Sequence, residues 1–410
     1  MQQTPRTLRP HIGLFGRRNV GKSSILNALV GQTVSIVCDQ PGTTADPVEK
    51  PMELPHIGPV VFIDTAGMDD EGTLGDLRRQ RSEAALDRAD LGILVAEAGA
   101  WTGFEDGLLG KLKQRGVPTL VVFNKCDGPG VSESVLSSVE SMGYSALNCS
   151  ALTGEGLGEL FAAIIRLLPN ACFETPLLAR DLAGPGETAL LVTPIDGQAP
   201  KGRLILPQVM TIRDLLDGGA IPIVCQPGRI GEALGSLSKP PSIVITDSQA
   251  FAQVSEGIPG TLPMTSFSIL MARFQGGLET LVRGASAISR LKGGDGVLVA
   301  ETCAHHPAAD DIGRVKIPDW INSLVGTPLN FTHISGRDFP QDLSPYKLAI
   351  HCGNCTGGRR EMLARIHRCR SAGLPITNYG LAIAYSLGIF ERALAPFPDA
   401  LAAARPLGAV

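Results

Sequence analysis

The sequence contains no uninterrupted apolar run of about 18 residues, which is the length that a membrane-spanning helix needs. Its first residues, MQQTPRTLRPHIGLFG, include no apolar segment ahead of a cleavage site, so a secretory signal is not expected. Both absences predict a cytoplasmic protein. Lys and Arg number 36 against 40 acidic residues, and this balance lacks the basic excess that is typical of proteins coating nucleic acid.

Structural disulfides are also not expected, because the cytoplasm keeps thiols reduced. The chain has nine cysteines. Most of them stand singly in apolar or helical segments and are predicted to be packing residues: Cys38, Cys126, Cys149, Cys225 and Cys369. Three cysteines near the C-terminus do not fit that description, and they are treated separately below.

The 410 residues are enough for two or three domains. The segment 1–170 alternates short apolar runs with helical stretches, which is typical of a parallel α/β sheet. The Pro- and Gly-rich segment 171–187 predicts a linker. Two smaller parallel α/β domains are predicted after it, at 188–268 and at 269–410. No internal repeat of short fixed period is visible.

Residues 16–23, GRRNVGKS, match the pattern G-x-x-x-x-G-K-[ST] between a predicted strand and a predicted helix. The glycines let backbone N–H groups turn toward phosphates, and the helix directs its positive N-terminal end at the same anion. Lys22 is expected to reach the β- and γ-phosphates, and Ser23 is expected to coordinate Mg²⁺. The residues assigned to this loop are Gly16, Asn19, Val20, Gly21, Lys22, Ser23 and Ser24.

Two further segments are predicted to act on the γ-phosphate. Asp64 begins the sequence DTAG at a strand end and can hold Mg²⁺ through water, while the Gly67 N–H can sense the γ-phosphate. In the loop 41–46, Thr44 is expected to close on Mg²⁺ when a triphosphate is bound, in preference to Thr43. The predicted catalytic set is Lys22, Thr44, Asp64 and Gly67.

The sequence NKCD at 124–127 predicts guanine recognition. The Asp127 carboxylate can accept two hydrogen bonds from guanine N1–H and N2–H₂, which adenine does not offer. Lys125 would lie over the base, and backbone N–H groups at Ser150 and Ala151 can donate to O6. Nucleotides bind at such strand ends in open α/β sheets, so the four motifs predict a GTP/GDP-binding P-loop GTPase domain. The residues assigned to the base are Asn124, Lys125, Asp127, Ser150 and Ala151.

This domain resembles the TrmE–Era–Der branch of translation-factor-like GTPases. In that resemblance Asn19 matches an asparagine that helps to bind K⁺, although it can also be read as a simple turn residue. Met68 follows DTAG where Ras-like enzymes carry a water-orienting glutamine, and Ala45 replaces an arginine common in the branch. The resemblance therefore implies GTP hydrolysis stimulated by a potassium ion beside the phosphates.

The remaining cysteines form two groups, CAHH at 303–306 and HCGNC at 351–355, each directly after an apolar strand. Because the ends of parallel strands share one edge of a sheet, the two groups are predicted to meet. Three thiolates suit zinc, with His305 or His351 as a fourth ligand, or a 4Fe–4S cluster with one exchangeable iron. The iron–sulfur interpretation is preferred. The C-x₃-C-x₂-C signature of radical S-adenosylmethionine enzymes is absent.

A GTPase of this branch followed by an α/β domain and C-x-H … H-C-x-x-C resembles the HydF family, the maturation GTPases of FeFe-hydrogenase, over essentially the whole chain. The resemblance implies that Cys303, Cys352 and Cys355 ligate a 4Fe–4S cluster, with His305 and His351 near its fourth iron. It also implies a scaffold that receives a two-iron subcluster precursor from radical S-adenosylmethionine maturases and transfers it to the hydrogenase apoprotein. The middle domain would form a homodimer or a larger oligomer.

Two other functions stay open. One is an RNA- or ribosome-associated GTPase of the Era/TrmE type with a zinc-binding C-terminal domain, although no basic extension or KH-type GxxG module is evident. The other is a redox domain that passes electrons while GTP hydrolysis regulates docking. A cluster with an open iron favours cargo handling over electron transfer.

Overall fold

A computed structural model describes most of the chain, and its residues fall into two compact units, 1–175 and 176–410. No described helix is long and apolar enough to cross a membrane. Thr43, Thr44, Cys303 and His305 lie outside the described residues. The described residues are 8–33, 48–55, 57–68, 81–97, 99–128, 131–174, 176–195, 204–302, 311–336 and 339–404.

The first unit contains a six-stranded sheet in the order β2-β3-β1-β4-β5-β6. All neighbouring strands are parallel except β2 and β3. β1 and β5 are buried along their whole length, as expected for strands covered by helices on both faces. The strands are β1 (His11–Phe15), β2 (Val48–Leu54), β3 (Gly58–Asp64), β4 (Leu91–Glu97), β5 (Thr119–Asn124) and β6 (Ser145–Asn148).

Helices cover this sheet, and successive strand residues feed two separate cores. Ile12 and Leu14 of β1 pack in one apolar cluster, whereas Phe15 packs in another, because side chains alternate between the faces of a strand. Residues 81–86 are also helical. The other helices of this unit are α1 (Lys22–Thr33), α2 (Gly103–Gln114), α3 (Glu133–Ser141) and α4 (Leu157–Leu167). The predicted α/β class is confirmed.

The second unit contains two four-stranded parallel sheets. The strands of the first sheet lie in the order β10-β9-β7-β8, and those of the second in the order β12-β11-β13-β14. When the strands of each sheet are numbered 1 to 4 in chain order, the second sheet reads 2-1-3-4 from β12 to β14. The first sheet reads the same when it is taken from β8 to β10. The strands are β7 (Thr188–Val192), β8 (Ile221–Cys225), β9 (Ile243–Thr246), β10 (Met264–Ser266), β11 (Gly296–Glu301), β12 (Asn330–Ser335), β13 (Tyr346–His351) and β14 (Ile376–Asn378).

Helices follow most of these strands, as parallel connections require. A π-helical turn at Ile312–Lys316 precedes one of them. The helices are α5 (Leu206–Asp217), α6 (Ile230–Gly235), α7 (Phe251–Gly257), α8 (Phe267–Phe274), α9 (Leu278–Ala285), α10 (Ile317–Val325), α11 (Arg359–Ser371), α12 (Tyr379–Ser386), α13 (Phe390–Leu394) and α14 (Pro398–Ala403).

The two sheets end in matching sequences, LPMTSF at 262–267 and LPITNY at 374–379. Each sequence spans the last strand of its sheet and the start of the next helix. The Ser266 hydroxyl caps α8, and the Asn378 side chain caps α12 in the same way. The second unit therefore contains two copies of one α/β arrangement. They are called here the first copy, which contains strands β7–β10, and the second copy, which contains strands β11–β14.

Two helices pack on a sheet other than the one that directly precedes them in the chain. α9 follows the first sheet but packs on β14, whereas α13 follows the second sheet and packs on β10. α8 and α12 meet where the Gly380 N–H donates to Ser268 Oγ at 3.1 Å. This exchange explains why residues 176–410 form one unit. The predicted boundary between 268 and 269 falls inside α8 and stays a prediction.

Residues 176–187 of the predicted linker 171–187 are part of the second unit. Leu178, Ala179 and Ala183 are buried. The Asp214 carboxylate of α5 accepts backbone N–H groups from Ala179 at 2.7 Å and Arg180 at 2.8 Å. This stretch is therefore tied to a helix by hydrogen bonds, which its Pro- and Gly-rich composition did not indicate.

Candidate functional site

The phosphate loop joins β1 to α1 at the C-terminal edge of the first sheet. Gly16, Asn19 and Gly21 have φ angles of 139°, 62° and 93°, a backbone conformation that turns N–H groups inward. A Cβ atom on Gly16 would lie 2.2 Å from the Val95 carbonyl oxygen, and one on Gly21 would lie 2.1 Å from the Asn124 side chain. Only glycine fits at these two positions.

Lys22 is buried, and its ammonium lies within the loop. Its Nζ donates to the carbonyl oxygens of Gly16 at 3.1 Å and Arg17 at 2.6 Å. Val20 is buried in the core beneath the loop, whereas the side chains of Ser23 and Ser24 are exposed. The loop therefore encloses the Lys22 ammonium and presents the hydroxyl groups of Ser23 and Ser24 at its surface.

The donor set at the end of β3 fits Mg²⁺. Ser23 Oγ donates to Asp64 Oδ2 at 2.5 Å, and Asp64 Oδ1 is buried with no hydrogen-bond partner among the described residues. A carboxylate oxygen without a donor beside a hydroxyl is the hard oxygen environment that Mg²⁺ prefers. Gly67 abuts the loop, because a Cβ there would lie 2.7 Å from the Arg18 nitrogen. Thr44, the third predicted magnesium ligand, lies outside the described residues.

The residues assigned to the base meet at the ends of β5 and β6. Asn124 donates to the Val20 carbonyl at 2.8 Å and accepts the Ala151 N–H at 3.1 Å. Its amide therefore ties the phosphate loop to the base-binding loop. Asp127 accepts the Ser150 hydroxyl at 2.5 Å, and Lys125 has a left-handed φ of 65°.

One contact of the phosphate loop, an ion pair between Arg17 and Glu105, is not predicted from the sequence. Arg17 Nε donates to Glu105 Oε1 at 2.7 Å, the same guanidinium lies 4.7 Å above the Phe104 ring, and Glu105 is buried. Glu105 also accepts the Thr102 N–H at 2.9 Å in a capping box that starts α2. The T-x-x-E spacing could have revealed the helix start, but not the arginine that contacts it.

The second predicted centre lies at the C-terminal edge of the last sheet. Cys352 follows β13, and Thr302 follows the adjacent strand β11. Cys352 Sγ accepts the N–H groups of Thr302 at 3.3 Å and Asn354 at 3.4 Å. Cys355 is half-buried in the same loop. Backbone donors of this kind surround the thiolate ligands of metal centres, so the described part of the donor set fits a cysteine-bound metal.

The ligand set is incomplete within the described residues, where no group of three His, Cys, Asp or Glu side chains could hold a metal ion. Cys303 and His305 lie in the undescribed segment 303–310 directly after Thr302. The meeting of Cys303 with Cys352 and Cys355 therefore stays a prediction.

His351 is fully buried, and both of its ring nitrogens are engaged. Arg365 donates to Nε2 at 2.8 Å, and Nδ1 lies 2.8 Å from the Cys352 carbonyl oxygen. An arginine can only donate, so Nε2 is the acceptor and Nδ1 carries the proton. Burial, followed by the Arg365 charge, lowers the pKa of His351 to about 3. In this arrangement the neutral ring has no lone pair to offer to iron.

Two further polar residues beside this loop were not predicted. The buried Glu301 carboxylate at the end of β11 accepts the Tyr379 hydroxyl at 3.0 Å. Burial raises the pKa of Tyr379 well above its usual value, and the neighbouring Cys352 and Glu301 side chains raise it further. The phenol is therefore a fixed proton donor. No local sequence signal distinguishes it from an ordinary core tyrosine.

Family models match most of the chain. Residues 178–276 match the hydrogen maturase F dimerization domain, and residues 279–396 match the hydrogen maturase F tetramerization domain. Together these two models span more than half of the sequence. The chain belongs to the HydF family. Residues 11–125 of this HydF chain match a third model, described as a 50S ribosome-binding GTPase.

Curated relatives are similar to part of the HydF chain. GTPase Der of Solidesulfovibrio magneticus is 36% identical over 165 residues, covering 40% of this chain and 37% of that protein. The tRNA modification GTPase MnmE of Chloroflexus aurantiacus is 37% identical over 183 residues, covering 44% and 38%. The chain thus spans less than half the length of these relatives.

Two solved structures are also similar to part of the chain. Era of Aquifex aeolicus bound to GDP and AlF₄⁻ shares 29% identity, with a TM-score of 0.33, over 39% of this chain and 56% of that chain. The G domain of the T. maritima FeoB iron transporter shares 25% identity, with a TM-score of 0.30, over 39% and 99%.

Proposed function

We propose that this HydF chain hydrolyses GTP and matures FeFe-hydrogenase, using a 4Fe–4S cluster to hold and deliver a two-iron subcluster precursor. The observation that carries the proposal is the Cys352 sulfur at a strand end, surrounded by backbone donors. It lies in a chain that also has a phosphate loop and both HydF domains. The hydrogenase apoprotein and the radical S-adenosylmethionine maturases are the proposed partners.

Nucleotide turnover is assigned to the edge of the first sheet. Lys22 would bind the β- and γ-phosphates, while Ser23, Thr44 and Asp64 would hold Mg²⁺ directly or through water. This assignment is supported by Asp64 Oδ1, which is buried and has no hydrogen-bond partner in the described part of the chain. Asn19 would bind K⁺, which supplies positive charge where Met68 replaces a catalytic glutamine.

Guanine recognition is assigned to Asp127, with Lys125 over the ring and the Ser150-Ala151 backbone at O6. The contacts of Asn124 with Val20 and Ala151 support a rigid base pocket, because they fix both loops to one side chain. Such pairing would reject adenine, which cannot satisfy the Asp127 carboxylate.

Cluster binding is assigned to Cys303, Cys352 and Cys355. A cluster held by three cysteines leaves one iron with an exchangeable position, and that iron would accept the precursor. His305 is the better candidate for the fourth iron, because both nitrogens of His351 are engaged with Arg365 and the Cys352 carbonyl.

Self-association is assigned to the exposed edge of the first copy. β8 is an edge strand, with Ile221 51% and Val224 43% exposed, and the neighbouring Leu216 is 54% exposed. An apolar edge strand with unpaired backbone groups favours pairing with another chain. This surface supports a homodimer, in agreement with the dimerization-domain match.

The cluster assignment is tested by anaerobic reconstitution with iron and sulfide. Wild-type protein is expected to be brown with the absorbance of a 4Fe–4S cluster, and Cys352→Ser is expected to lose it. Cys225→Ser, which changes a half-buried thiol on β8, should retain the colour. Colourless wild-type protein that carries one tightly bound zinc would overturn the iron–sulfur assignment.

The GTPase assignment is tested by turnover. Lys22→Ala is expected to abolish hydrolysis, and exchanging potassium for sodium is expected to slow the wild type. Equal rates in both salts would remove Asn19 from its role. Asp127→Ala is expected to lose its preference for GTP over ATP, and unchanged rejection of ATP would refute the base assignment.

The alternative is a ribosome- or RNA-associated GTPase with a zinc-bound tail. Its support is the description of the model that matches residues 11–125. It predicts co-sedimentation with ribosomes in the presence of GTP, together with zinc in the purified protein. The cluster proposal predicts neither result.

A further inference from the structure

The segment 352–358 between β13 and α11 is called here the cysteine loop. We propose that Asn354 is a positioning residue for this loop, and that it acts with Thr302 and with Gln275 of the first copy. This inference rests on the proposed cluster function, since it concerns how Cys352 is held. The three side chains meet between the ends of β11 and β13 and the end of α8. None of them is a predicted ligand.

Asn354 lies between Cys352 and Cys355 and is 1% exposed. Its φ of 49° is left-handed, a conformation that asparagine and glycine adopt more readily than other residues. The loop therefore reverses direction at Asn354. On the side of the turn that precedes this residue, the Asn354 N–H donates to the Cys352 sulfur at 3.4 Å.

The side chain of Asn354 joins the loops on both sides of it. Its Oδ1 accepts the Thr302 hydroxyl at 2.8 Å, and its Nδ2 donates to the Gly358 carbonyl at 3.1 Å. Thr302 directly precedes Cys303, and Gly358 directly precedes α11. The amide is tightly enclosed, because a Cβ on Gly357 would lie 2.0 Å from Oδ1.

The backbone of Asn354 accepts a hydrogen bond from a side chain of the first copy. Gln275, which is buried at the end of α8, donates from Nε2 to the Asn354 carbonyl at 2.9 Å. In the alignment of LPMTSF with LPITNY, the second copy has Leu387 at the corresponding position. The amide of Gln275 is thus a polar group that only the first copy supplies, and it is directed at the cysteine loop.

The network fixes the donors on Cys352. The Thr302 hydroxyl has one proton and lies closer to Asn354 Oδ1, at 2.8 Å, than to Cys352 Sγ, at 3.5 Å. The sulfur is therefore bonded by two backbone N–H groups, from Thr302 and Asn354, and the side-chain bond holds these two residues together. Hydrogen bonds to a cluster sulfur raise the reduction potential, and such supporting contacts keep ligands in place.

The test uses reconstituted full-length protein and two measurements, iron release to a chelator and reduction potential by an EPR-monitored titration. Thr302→Val removes the hydroxyl without changing shape, and Asn354→Gly keeps the left-handed backbone while removing the amide. Both variants are expected to release iron about ten-fold faster and to shift the potential to more negative values. Gln275→Met is expected to change both quantities in the same direction.

Thr302→Ser restores the hydroxyl and should restore both quantities. Thr332→Val makes the same change at an exposed site on β12 and should leave both unchanged. Folded Thr302→Val and Asn354→Gly proteins with the iron release and potential of wild type would overturn the proposal. A lower melting temperature with an unchanged potential would also overturn it, because it would indicate a merely structural role.

Failure of the cluster assignment would be seen separately. Wild-type protein that carries zinc instead of iron refutes the proposed cluster. Faster zinc release from Thr302→Val and Asn354→Gly than from Thr332→Val would still support the positioning role. Equal zinc release from all three variants would refute it.

Discussion

The two copies in residues 176–404 share a strand order and equivalent helix caps, but their strand ends carry different groups. Thr246 ends β9 and pairs with Val192, as His351 ends β13 and pairs with Ala300. Thr246 Oγ1 donates to backbone carbonyl oxygens, those of Val192 at 3.3 Å and Asp247 at 3.4 Å. His351 instead contacts a buried arginine. The arrangement of strands is duplicated, whereas the chemistry at their ends is not.

The contact with His351 belongs to a group of buried charged side chains in the second copy. Arg365 bonds His351 at 2.8 Å, Glu361 at 2.9 Å and the Gly336 carbonyl at 3.1 Å, and its guanidinium lies over the Phe339 ring. A buried charge of this kind is stable only when its partners are present. His351 connects this network to the cysteine loop, since its Nδ1 lies 2.8 Å from the Cys352 carbonyl oxygen, so we interpret the network as a support for that loop.

The largest predicted effect comes from breaking this network. Arg365→Leu is expected to destabilise the second unit by about 3–5 kcal/mol, because it leaves the Glu361 carboxylate buried without its cation. Thr246→Val, at the position in the first copy that corresponds to His351, is expected to cost about 1 kcal/mol. Urea unfolding of the full chain measures both.

The double variant Arg365→Leu/Glu361→Leu is the control for stranded charge, and it should recover most of the loss. Equal losses for Arg365→Leu and Thr246→Val would show that the two strand ends contribute alike to stability. That result would contradict the distinction between the copies.

The next effect in size tests whether the copies are one folding unit. A Cβ on Gly284 of α9 would lie 1.8 Å from the Ile376 carbonyl oxygen of β14. Gly284→Ala should therefore cost about 1–3 kcal/mol through overpacking. Because α9 follows the first sheet in the chain and packs on β14 of the second sheet, the whole 176–404 transition should shift together.

Gly231→Ala in α6 is the matched control, since a Cβ there meets nothing within 4 Å. It should be neutral or should stabilise by about 0.5 kcal/mol, because alanine favours a helix over glycine. A split transition in Gly284→Ala, with one sheet unfolding at the wild-type midpoint, would show that the copies fold independently.

The sequence predicted the features that depend on short contiguous stretches of residues. GRRNVGKS, DTAG and NKCD each lie at a strand end, and the α/β class follows from the alternation of short apolar runs with helical stretches. The supports of the cysteine loop are not local, because Gln275 and Asn354 are 79 residues apart and Thr302 and Asn354 are 52 apart. Which distant amide meets which carbonyl is decided by packing, which local motifs do not encode.

The duplication is not evident in the sequence for a related reason. LPMTSF and LPITNY are identical at three of six positions, but the match is short and recurs only once over a long interval. Apolar strands tolerate exchange among Met, Ile, Leu and Val, so copies retain a fold while their sequences diverge. The shared 2-1-3-4 strand order becomes visible only in the structure.

The smallest predicted effect concerns Arg273 of α8, which corresponds to Tyr385 of α12. Arg273 forms two hydrogen bonds with Asp181, at 2.7 Å and 2.6 Å, within the segment predicted as a linker. Tyr385 instead packs edge-on against Phe390. Asp181→Asn should remove the ion pair, which is specific to the first copy, and should leave the Tyr385 contact of the second copy intact.

The pH dependence of this effect follows from the Asp181 carboxyl group. Its hydrogen bonds with Arg273 lower the pKa of Asp181 below the usual value of 3.8, so the unfolded chain binds the proton more readily. The contribution to stability is therefore present above that value and is lost as the pH falls through the folded-state pKa. Asp181 is 40% exposed, which limits the contribution to about 1 kcal/mol or less. The difference in unfolding free energy between wild type and Asp181→Asn should shrink on acidification, and a constant difference would show that packing, not charge, attaches the segment.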